Sequence, residues 1–298
     1  MANEIVRKIE PRARDLGGGF RVRRVLPHHA HKMVGPFIFF DHFGPVAYAP
    51  GDGFDVRPHP HIGLATVTYL FDGAIRHQDS LGTDLVIRPG AVNWMTAGHG
   101  IVHSERTPIP ERDAGQSMHG LQTWVALPAS HEAMAPSFVH HAAETLPVFK
   151  ENGADIRVLA GEAWGHHSPV EFPWPILYVA IETPDGASLT LPANLAEERA
   201  LYLVSGGVRV DGALVEEGVM LVLTPGNDIL VEFLPGTKAV VCGGAPMDGP
   251  RKIDWNFVAS DAGQIEQAKQ DWIESTQSHG TDRFPLVPGD EAEWIPLP

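Results

Sequence analysis

The stretch "HIGLATVTYLFDG" at residues 61–73 has the two-residue period of a β-strand and ends in a turn signal. Val67, Tyr69 and Phe71 alternate with threonine and leucine, so one set of side chains is placed on a single face. The closing Asp-Gly dipeptide is typical of a two-residue hairpin, because both residues tolerate a positive φ. The stretch therefore predicts an antiparallel strand that turns directly into its neighbour.

Short apolar segments continue this pattern downstream. "DLVI" (84–87), "AVNWM" (91–95) and "IVHSE" (101–105) are separated by the turn-forming sequences "RPG" and "TAGHG". The chain also contains 31 glycines and 26 prolines, which favours many short strands over long helices. Strands with turns at such regular spacing predict an antiparallel sandwich or barrel.

The second half of the chain repeats this pattern. "ALYLVSGG" (200–207) resembles "TVTYLFDG", and aligning Gly73 with Gly206 gives an offset of 206 − 73 = 133. Aligning Thr96 with Thr224 gives 224 − 96 = 128, so the second copy is expected to have a shorter hairpin. The repeat predicts a duplicated β-barrel.

The predicted fold is therefore all-β, with two tandem antiparallel barrels. We place the first barrel in residues 1–135 and the second in residues 136–298, with the proline-rich "LPASHEAMAPS" (127–137) at the start of the join. Residues 260–275 carry a Ser or Asp N-cap signal and predict one short helix. An extended tail follows, and its apolar side chains predict that it packs on a barrel: Phe284, Trp294 and Ile295.

The charge of the chain argues against direct nucleic-acid binding. With 22 basic and 37 acidic side chains, the formal net charge is −15, which would repel a phosphate backbone. Cys242 is the only cysteine, so no internal disulfide can form and a reducing compartment is expected. It is expected to be a buried small residue and not a nucleophile. The first residues carry no apolar signal segment and no apolar run is long enough for a membrane span, so we expect a cytoplasmic protein without a membrane partner.

Two histidines precede the first strand pattern. His59 and His61 are separated by one residue, so in an extended chain their imidazoles point to the same side. Pro60 restricts its own φ and biases the preceding residue toward the extended region. With sixteen histidines in the chain, one such pair is expected by chance, so its context decides its meaning.

A second pair supplies that context. His103 and Glu105 again stand two residues apart in a predicted strand, and the two pairs would meet if their strands are neighbours. Three imidazoles and a carboxylate suit Fe(II), Mn(II), Co(II), Cu(II), Ni(II) or Zn(II), and would leave two positions open on a six-coordinate metal. The alternative is that these are hydrogen-bonded or surface histidines and a solvated glutamate.

The motifs together resemble the pirin family, whose members are bicupins, proteins with two cupin barrels. The resemblance is carried by "HPHIGLATVTYLFDG", "HQDS" (77–80), "RPGAVNWMTAGHGIVHSE", "MHGLQTWVALP" (118–128), "VGPFIFFDHFGP" and the ending "VPGDEAEWIPLP". It implies the same four metal ligands, His59, His61, His103 and Glu105, with iron as the usual metal.

The sequence departs from related patterns at two positions. Many cupins carry a glutamate four residues after the second histidine, where this chain has Ala65. Pirins do not use that glutamate, so the implied site stays complete. Position 99 is histidine where other members can carry arginine, which would alter substrate preference if the side chain faces the pocket.

The second copy serves as an internal comparison. At the two offsets, the four ligands correspond to Pro192, Asn194, Val231 and Phe233. These residues cannot complete a metal site, so the second barrel is predicted to lack one and to act structurally or in partner binding.

Other histidines and aromatic residues remain candidates with two readings each. His77 is either an acid–base or substrate-binding group of the pocket, or a histidine that supports a metal ligand from behind or lies at the rim. His42 and His99 are weaker candidates for the pocket, and His119 is expected to be a core histidine with a backbone partner. Four residues are predicted to be core: Trp94, Met95, Phe39 and Phe40.

The resemblance implies an iron-dependent dioxygenase that cleaves flavonols such as quercetin with O2 and releases carbon monoxide. Glu105 and His77 are then the candidate catalytic bases. The alternative is a metal-dependent regulatory protein that acts on protein partners, as a transcription cofactor or a regulator of a metabolic enzyme. A third possibility is another cupin chemistry, such as isomerisation or decarboxylation. We expect a monomer.

Overall fold

The structure is a computed structural model that describes residues 4–15 and 20–298. Strands in the first half are β1 (Ile5–Ile9), β2 (Arg12–Asp15), β3 (Arg21–Leu26), β4 (Phe37–Tyr48), β5 (Asp55–His61), β6 (Leu64–Asp72), β7 (Ile75–Asp79), β8 (Asp84–Ile87), β9 (Val92–Thr96), β10 (Ile101–Arg106), β11 (Gln116–Ala126) and β12 (Ser137–His141). Strands in the second half are β13 (Val148–Glu151), β14 (Ala154–Ala163), β15 (His166–His167), β16 (Ile176–Thr183), β17 (Ala187–Leu191), β18 (Glu198–Ser205), β19 (Gly207–Val210), β20 (Ala213–Glu216), β21 (Met220–Leu223), β22 (Ile229–Phe233), β23 (Thr237–Gly244), β24 (Lys252–Asp254) and β25 (Phe257–Ala259). The α-helices are α1 (Ile109–Ala114) and α2 (Ala262–Ser278).

The chain forms two compact units. Most of one unit, which we call the N-terminal barrel, consists of Phe43–His140 and Asp248–Pro298. Most of the other, the C-terminal barrel, consists of Arg23–His42 and His141–Met247. The predicted all-β architecture with two barrels is confirmed.

The strand orders show the internal duplication. One pair of equivalent sheets has the orders β5-β10-β7-β8 and β17-β22-β19-β20. The other pair has the orders β12-β9-β6-β11-β4-β3-β2 and β1-β21-β18-β23-β16-β14-β13. The matched strand orders therefore support the duplication, which the sequence predicted although the two halves share few identical residues.

The predicted hairpins lie where the turn signals placed them. β6 ends at Asp72, and Gly73 follows with φ +86°, a conformation that a side chain would strain. A Cβ on Gly73 would also lie 2.5 Å from the Ser117 carbonyl oxygen. The next hairpin has residues 80–83 in its turn, and its counterpart in the second copy has only residues 211–212, as the shorter offset predicted.

Helix α2 confirms the predicted helix and its N-cap. The Asp261 side chain accepts a hydrogen bond from the Gly263 backbone N–H, which satisfies a free donor of the first turn. Trp272 is 3% exposed and packs with Ile62 and Val102 of the N-terminal barrel. The helix therefore buries its apolar face on the N-terminal barrel, although in sequence it follows the C-terminal barrel.

The tail after α2 packs on the same barrel, as its apolar residues predicted. Phe284 is fully buried, and the Ile295 backbone N–H donates to the Pro58 carbonyl at 2.8 Å. The predicted boundary at 135/136 groups this segment with the C-terminal barrel, whereas the contacts group Asp248–Pro298 with Phe43–His140. The difference arises because the boundary followed chain order, while burial of the helix and tail decides where they pack.

A buried ion pair holds this returning segment. The Arg251 and Glu132 side chains are 1% and 2% exposed, and the Arg251 Nε lies 3.0 Å from the Glu132 carboxylate. Glu132 also accepts hydrogen bonds from the backbone N–H and the hydroxyl of Ser260, at 2.7 and 2.8 Å.

None of the helices within residues 4–15 and 20–298 is long and apolar enough to cross a membrane.

Cys242 provides a test of burial in the C-terminal barrel. It lies on β23 with no exposed surface, and burial raises the pKa of its thiol to about 12. The thiol therefore stays protonated at pH 8, and we expect the native protein not to react with a chromogenic disulfide reagent. The same reagent should titrate one thiol in guanidinium chloride, since the chain has one cysteine. Rapid reaction of one thiol in the native protein would contradict this packing.

Candidate metal centre

The two predicted pairs lie on neighbouring antiparallel strands. His59 and His61 are on β5 and His103 is on β10, where His103 lies directly opposite His59 in the register. One ligand nitrogen from each of the three imidazoles falls within 4.8 Å of the others. All three side chains are buried, so the pairs that the sequence showed 42 residues apart, counted from His61 to His103, meet in the interior of the barrel.

Backbone carbonyls orient the first two imidazoles. The Nδ1 of His59 lies 2.8 Å from the Arg57 carbonyl oxygen, and the Nδ1 of His61 lies 3.1 Å from that of Asn256. A carbonyl oxygen only accepts, so each Nδ1 carries the hydrogen and each Nε2 keeps its lone pair. Carbonyl partners of this kind are typical of metal-binding histidines.

The donor set fits a cation. The Nε2 of His61 and the Nε2 of His103 lie 3.1 Å apart. Because the Nδ1 of His61 donates its hydrogen to the Asn256 carbonyl, the Nε2 of His61 carries a lone pair. At this distance the two nitrogens can share a hydrogen in the metal-free chain or bind one metal ion. Three nitrogen donors and a nearby carboxylate match the mixed ligand sets of transition metals.

Burial keeps these imidazoles neutral, which metal binding requires. It lowers the pKa of His59 to about 4, with the neighbouring His77 adding to the effect. Burial and the adjacent imidazoles also lower the pKa of His61 and of His103 well below their ordinary value. At neutral pH all three nitrogens therefore have a free lone pair.

Glu105 lies beside His103 in a second, overlapping group. Its carboxylate oxygen and a ring nitrogen each of His103 and His77 fall within 4.8 Å of one another. Burial raises the pKa of Glu105, and the neighbouring His77 opposes that shift, together with hydrogen bonds from Thr68 and Gln122. Thr68 lies on β6 in the facing sheet, with its hydroxyl 3.5 Å from the Glu105 Oε1.

His77 lies in the same interior, 3% exposed, and is opposite Glu105 in the register of β7 and β10. Its Nε2 lies 3.0 Å from the Asp79 Oδ2, and its Nδ1 lies 3.4 Å from the Nδ1 of His103. The Phe138 ring stacks on its imidazole with centroids 4.4 Å apart. Both ring nitrogens of His77 thus face protein groups.

Sequence reasoning missed several residues around the histidines. Asp79 follows His77 by two positions and shares its face of β7, so strand periodicity contained a signal for it. Trp124 packs edge-on against His61 with centroids 5.1 Å apart, and only its place in an apolar strand pointed to the interior. The Asn256 carbonyl, contributed from 195 positions away, had no sequence signal.

The remaining histidine candidates lie elsewhere. His99 is exposed on the loop before β10. His42 belongs to the C-terminal barrel, where its Nδ1 lies 2.7 Å from the Tyr202 hydroxyl. His119 is only partly buried and packs on Phe71 with centroids 5.2 Å apart, so it is not the core histidine that was predicted. The predicted core residues are all buried: Trp94, Met95, Phe39 and Phe40.

The register corrects the predicted equivalents of the first histidine pair. Leu189 faces Val231 across β17 and β22 as His59 faces His103, so the true offset is 189 − 59 = 130. The predicted Pro192 and Asn194 are wrong because the connection after β17 contains residues 192–197, whereas the one after β5 contains only residues 62–63. The offset of 133 was taken from Gly73 and Gly206, which lie after these connections, so it cannot detect that the two connections differ in length.

Apolar side chains replace the whole polar interior in the C-terminal barrel. The equivalents of the four predicted ligands, His59, His61, His103 and Glu105, are Leu189, Leu191, Val231 and Phe233. The equivalents of the four residues around them, His77, Asp79, Thr68 and Gln122, are Val208, Val210, Leu201 and Val241. All eight replacements belong to one buried hydrophobic cluster. The two copies of the fold therefore have different interiors: the N-terminal barrel has a polar interior with histidines, and these positions of the C-terminal barrel are hydrophobic.

Two antiparallel barrels, one with converging histidines inside, define a two-domain protein of the cupin class. Residues 19–125 match the family described as Pirin, and residues 178–277 match the Pirin C-terminal cupin domain. The chain is 48% identical to a pirin-like protein of Caulobacter vibrioides over 97% of this chain and 98% of that protein. The chain belongs to the pirin family.

Further comparisons concern activity. The crystal structure of a quercetin 2,3-dioxygenase from Acinetobacter baumannii matches with a TM-score of 0.91 at 35% identity, covering 100% of this chain and 96% of that chain. The chain is also 32% identical to pirin of Homo sapiens over 91% of this chain and 92% of that protein. The similarity to the quercetin 2,3-dioxygenase supports a dioxygenase-like enzyme, and the histidine and glutamate group supports a metal cofactor.

Proposed function

We propose that the protein is an Fe(II)-dependent dioxygenase that cleaves flavonols such as quercetin with O2 and releases carbon monoxide. The observation that carries the proposal is the convergence of three neutral imidazoles within 4.8 Å, in a chain similar to a quercetin 2,3-dioxygenase over its whole length. His59, His61, His103 and Glu105 would hold the ion. When bound, the iron would supply Lewis acidity and one-electron chemistry toward O2.

Glu105 would shift between two roles, as a ligand of the ion and as the base that takes the proton of the substrate. A flavonol has to lose the proton of its 3-hydroxyl group before the ring can be oxidised, and a base with a raised pKa can hold that proton at its carboxylate oxygen. Burial raises the pKa of Glu105, and its carboxylate lies beside the Thr68 hydroxyl, which donates to the Gln122 Oε1 at 2.8 Å. A positioned base of this kind contributes about 10²–10⁴-fold to the rate.

Aromatic side chains would exclude water from the reacting groups. Trp124 is 7% exposed against His61, and Phe138 covers the face of His77. A dry interior strengthens the electrostatic effect of each charged group and prevents solvent from competing for the ligand positions.

The test is turnover of quercetin by anaerobically purified protein loaded with Fe(II), started by admitting O2. Carbon monoxide should form in proportion to the quercetin consumed. Glu105→Gln should reduce the rate by about 10²–10⁴-fold, whereas Glu144→Gln, an exposed glutamate in the other barrel, removes the same charge and should not. Full iron occupancy without carbon monoxide would refute the proposed activity.

Regulatory binding of protein partners is the second candidate. It is favoured by the 32% identity to human pirin together with the net charge of −15, which directs a regulatory role to proteins and away from nucleic acid. Retention of a protein partner that depends on the oxidation state of the bound iron, in the absence of turnover, would support it.

A further inference from the structure

We propose that Asp79 and His77 are positioning residues, which fix the tautomer of His103 and direct its Nε2 lone pair toward the metal. The three side chains form one hydrogen-bonded chain in the interior of the N-terminal barrel. This inference rests on the metal centre of the proposed function, and it develops the supporting role that was one of the two alternatives for His77.

The chain of hydrogen bonds begins at Asp79, which has no exposed surface. Its Oδ1 accepts from the backbone N–H groups of Leu81 and Thr83, at 2.9 and 3.1 Å, and these contacts hold the carboxylate in place. Its Oδ2 lies 3.0 Å from the Nε2 of His77. A carboxylate accepts and does not donate, so the His77 Nε2 carries a hydrogen.

The consequence passes from His77 to His103. With its hydrogen on Nε2, His77 offers its Nδ1 as a lone-pair acceptor. This nitrogen lies 3.4 Å from the Nδ1 of His103, whose hydrogen it can accept. In that arrangement the Nε2 of His103 keeps its lone pair and lies 3.1 Å from the Nε2 of His61. The Asp79 carboxylate thus favours the His103 tautomer that can bind a metal.

The same contacts leave His77 no nitrogen for a substrate. Its Nε2 is used by Asp79, its Nδ1 by His103, and one face of its ring by Phe138. Carboxylate–histidine partners behind a metal ligand raise its basicity, and their loss typically costs about 10–100-fold in metal affinity.

The C-terminal barrel supports the coupling of these residues. The positions of His103, His77 and Asp79 are occupied there by Val231, Val208 and Val210. The ligand and the two residues behind it are therefore present together in one barrel and replaced together in the other.

Asp79→Asn tests the inference with little change in shape. The amide oxygen can still accept from Leu81 and Thr83, but the amide nitrogen then faces the His77 Nε2 as a donor. His77 should move its hydrogen to Nδ1, and His103 should in turn carry its hydrogen on Nε2. We expect Zn(II) affinity, measured by competition with a chromophoric chelator, to fall by about 10–100-fold. Asp84→Asn, an exposed carboxylate on neighbouring β8, is the charge-matched control and should bind zinc as the wild type does.

A further pair of variants separates positioning from a structural effect. His77→Gln keeps an acceptor for His103 and should retain more zinc affinity than His77→Leu. Unchanged zinc affinity in Asp79→Asn, or equal zinc affinity in His77→Gln and His77→Leu, would overturn the inference. A wild type that binds no zinc would overturn both this inference and the metal centre, while zinc or iron binding without turnover would overturn only the dioxygenase activity.

Discussion

His103→Ala is expected to remove both the metal and the turnover. His103 is the residue shared by the two potential ligand groups, one with His59 and His61 and one with His77 and Glu105. Tetrahedral zinc sites are worth about 10–16 kcal/mol over four ligands, so one ligand is worth about 3 kcal/mol, or at least about 10²-fold in affinity. The truncation also leaves a buried space beside His77, whose Nδ1 loses its contact with the His103 Nδ1, and this adds to the loss.

Metal content after dialysis and carbon monoxide release from quercetin measure the two effects of His103→Ala. His99→Ala is the matched control, because it removes one imidazole from an exposed loop position four residues before His103. The control should retain metal and turnover. A His103→Ala protein that keeps full metal occupancy and full turnover would show that the centre lies elsewhere.

Arg199→Met should produce the largest loss of stability in the C-terminal barrel. Arg199 is 1% exposed, and burial lowers the pKa of its guanidinium. Its donors reach four backbone carbonyls, those of Leu191 and Pro192 at the end of β17 and those of Thr224 and Asn227 in the connection between β21 and β22. Methionine preserves the apolar stem but leaves these carbonyls without their donor. We expect the free energy of unfolding to fall by about 3–5 kcal/mol, since each buried unsatisfied group costs about 1–3 kcal/mol.

Urea denaturation followed by tryptophan fluorescence and by circular dichroism measures this loss. Arg209→Met is the control, because Arg209 is exposed on β19 of the same barrel and its replacement should change the free energy of unfolding by less than about 0.5 kcal/mol. Equal midpoints for the two variants would mean that the guanidinium is not needed to hold the strand ends together.

Local sequence patterns were sufficient for the strands and for the pairing of functional residues. The alternation at Val67, Tyr69 and Phe71 predicted β6, and the i, i+2 spacing placed His59 beside His61 and His103 beside Glu105. These predictions succeed because strand periodicity is set by the backbone within a few residues. The N-cap of α2 is local in the same sense.

Predictions across connections were less successful. The equivalents of the first histidine pair were wrong because loop length between β17 and β18 shifts the register without changing either strand's pattern. The C-terminal segment also packs with the N-terminal barrel, because burial of Trp272 and Phe284 is decided by the available apolar surface and not by chain order.

The amino-acid sequence by itself determined the strands, the repeat of the strand and turn pattern, and the residue types that can bind a metal. These features depend on short-range periodicity and side-chain chemistry. Only the tertiary structure decided how they act together. It brings the Asn256 carbonyl to His61 and aligns Asp79, His77 and His103 across two strands. Such contacts join residues far apart in the chain, and hydrogen-bond direction depends on distances of a few tenths of an ångström that no local pattern encodes.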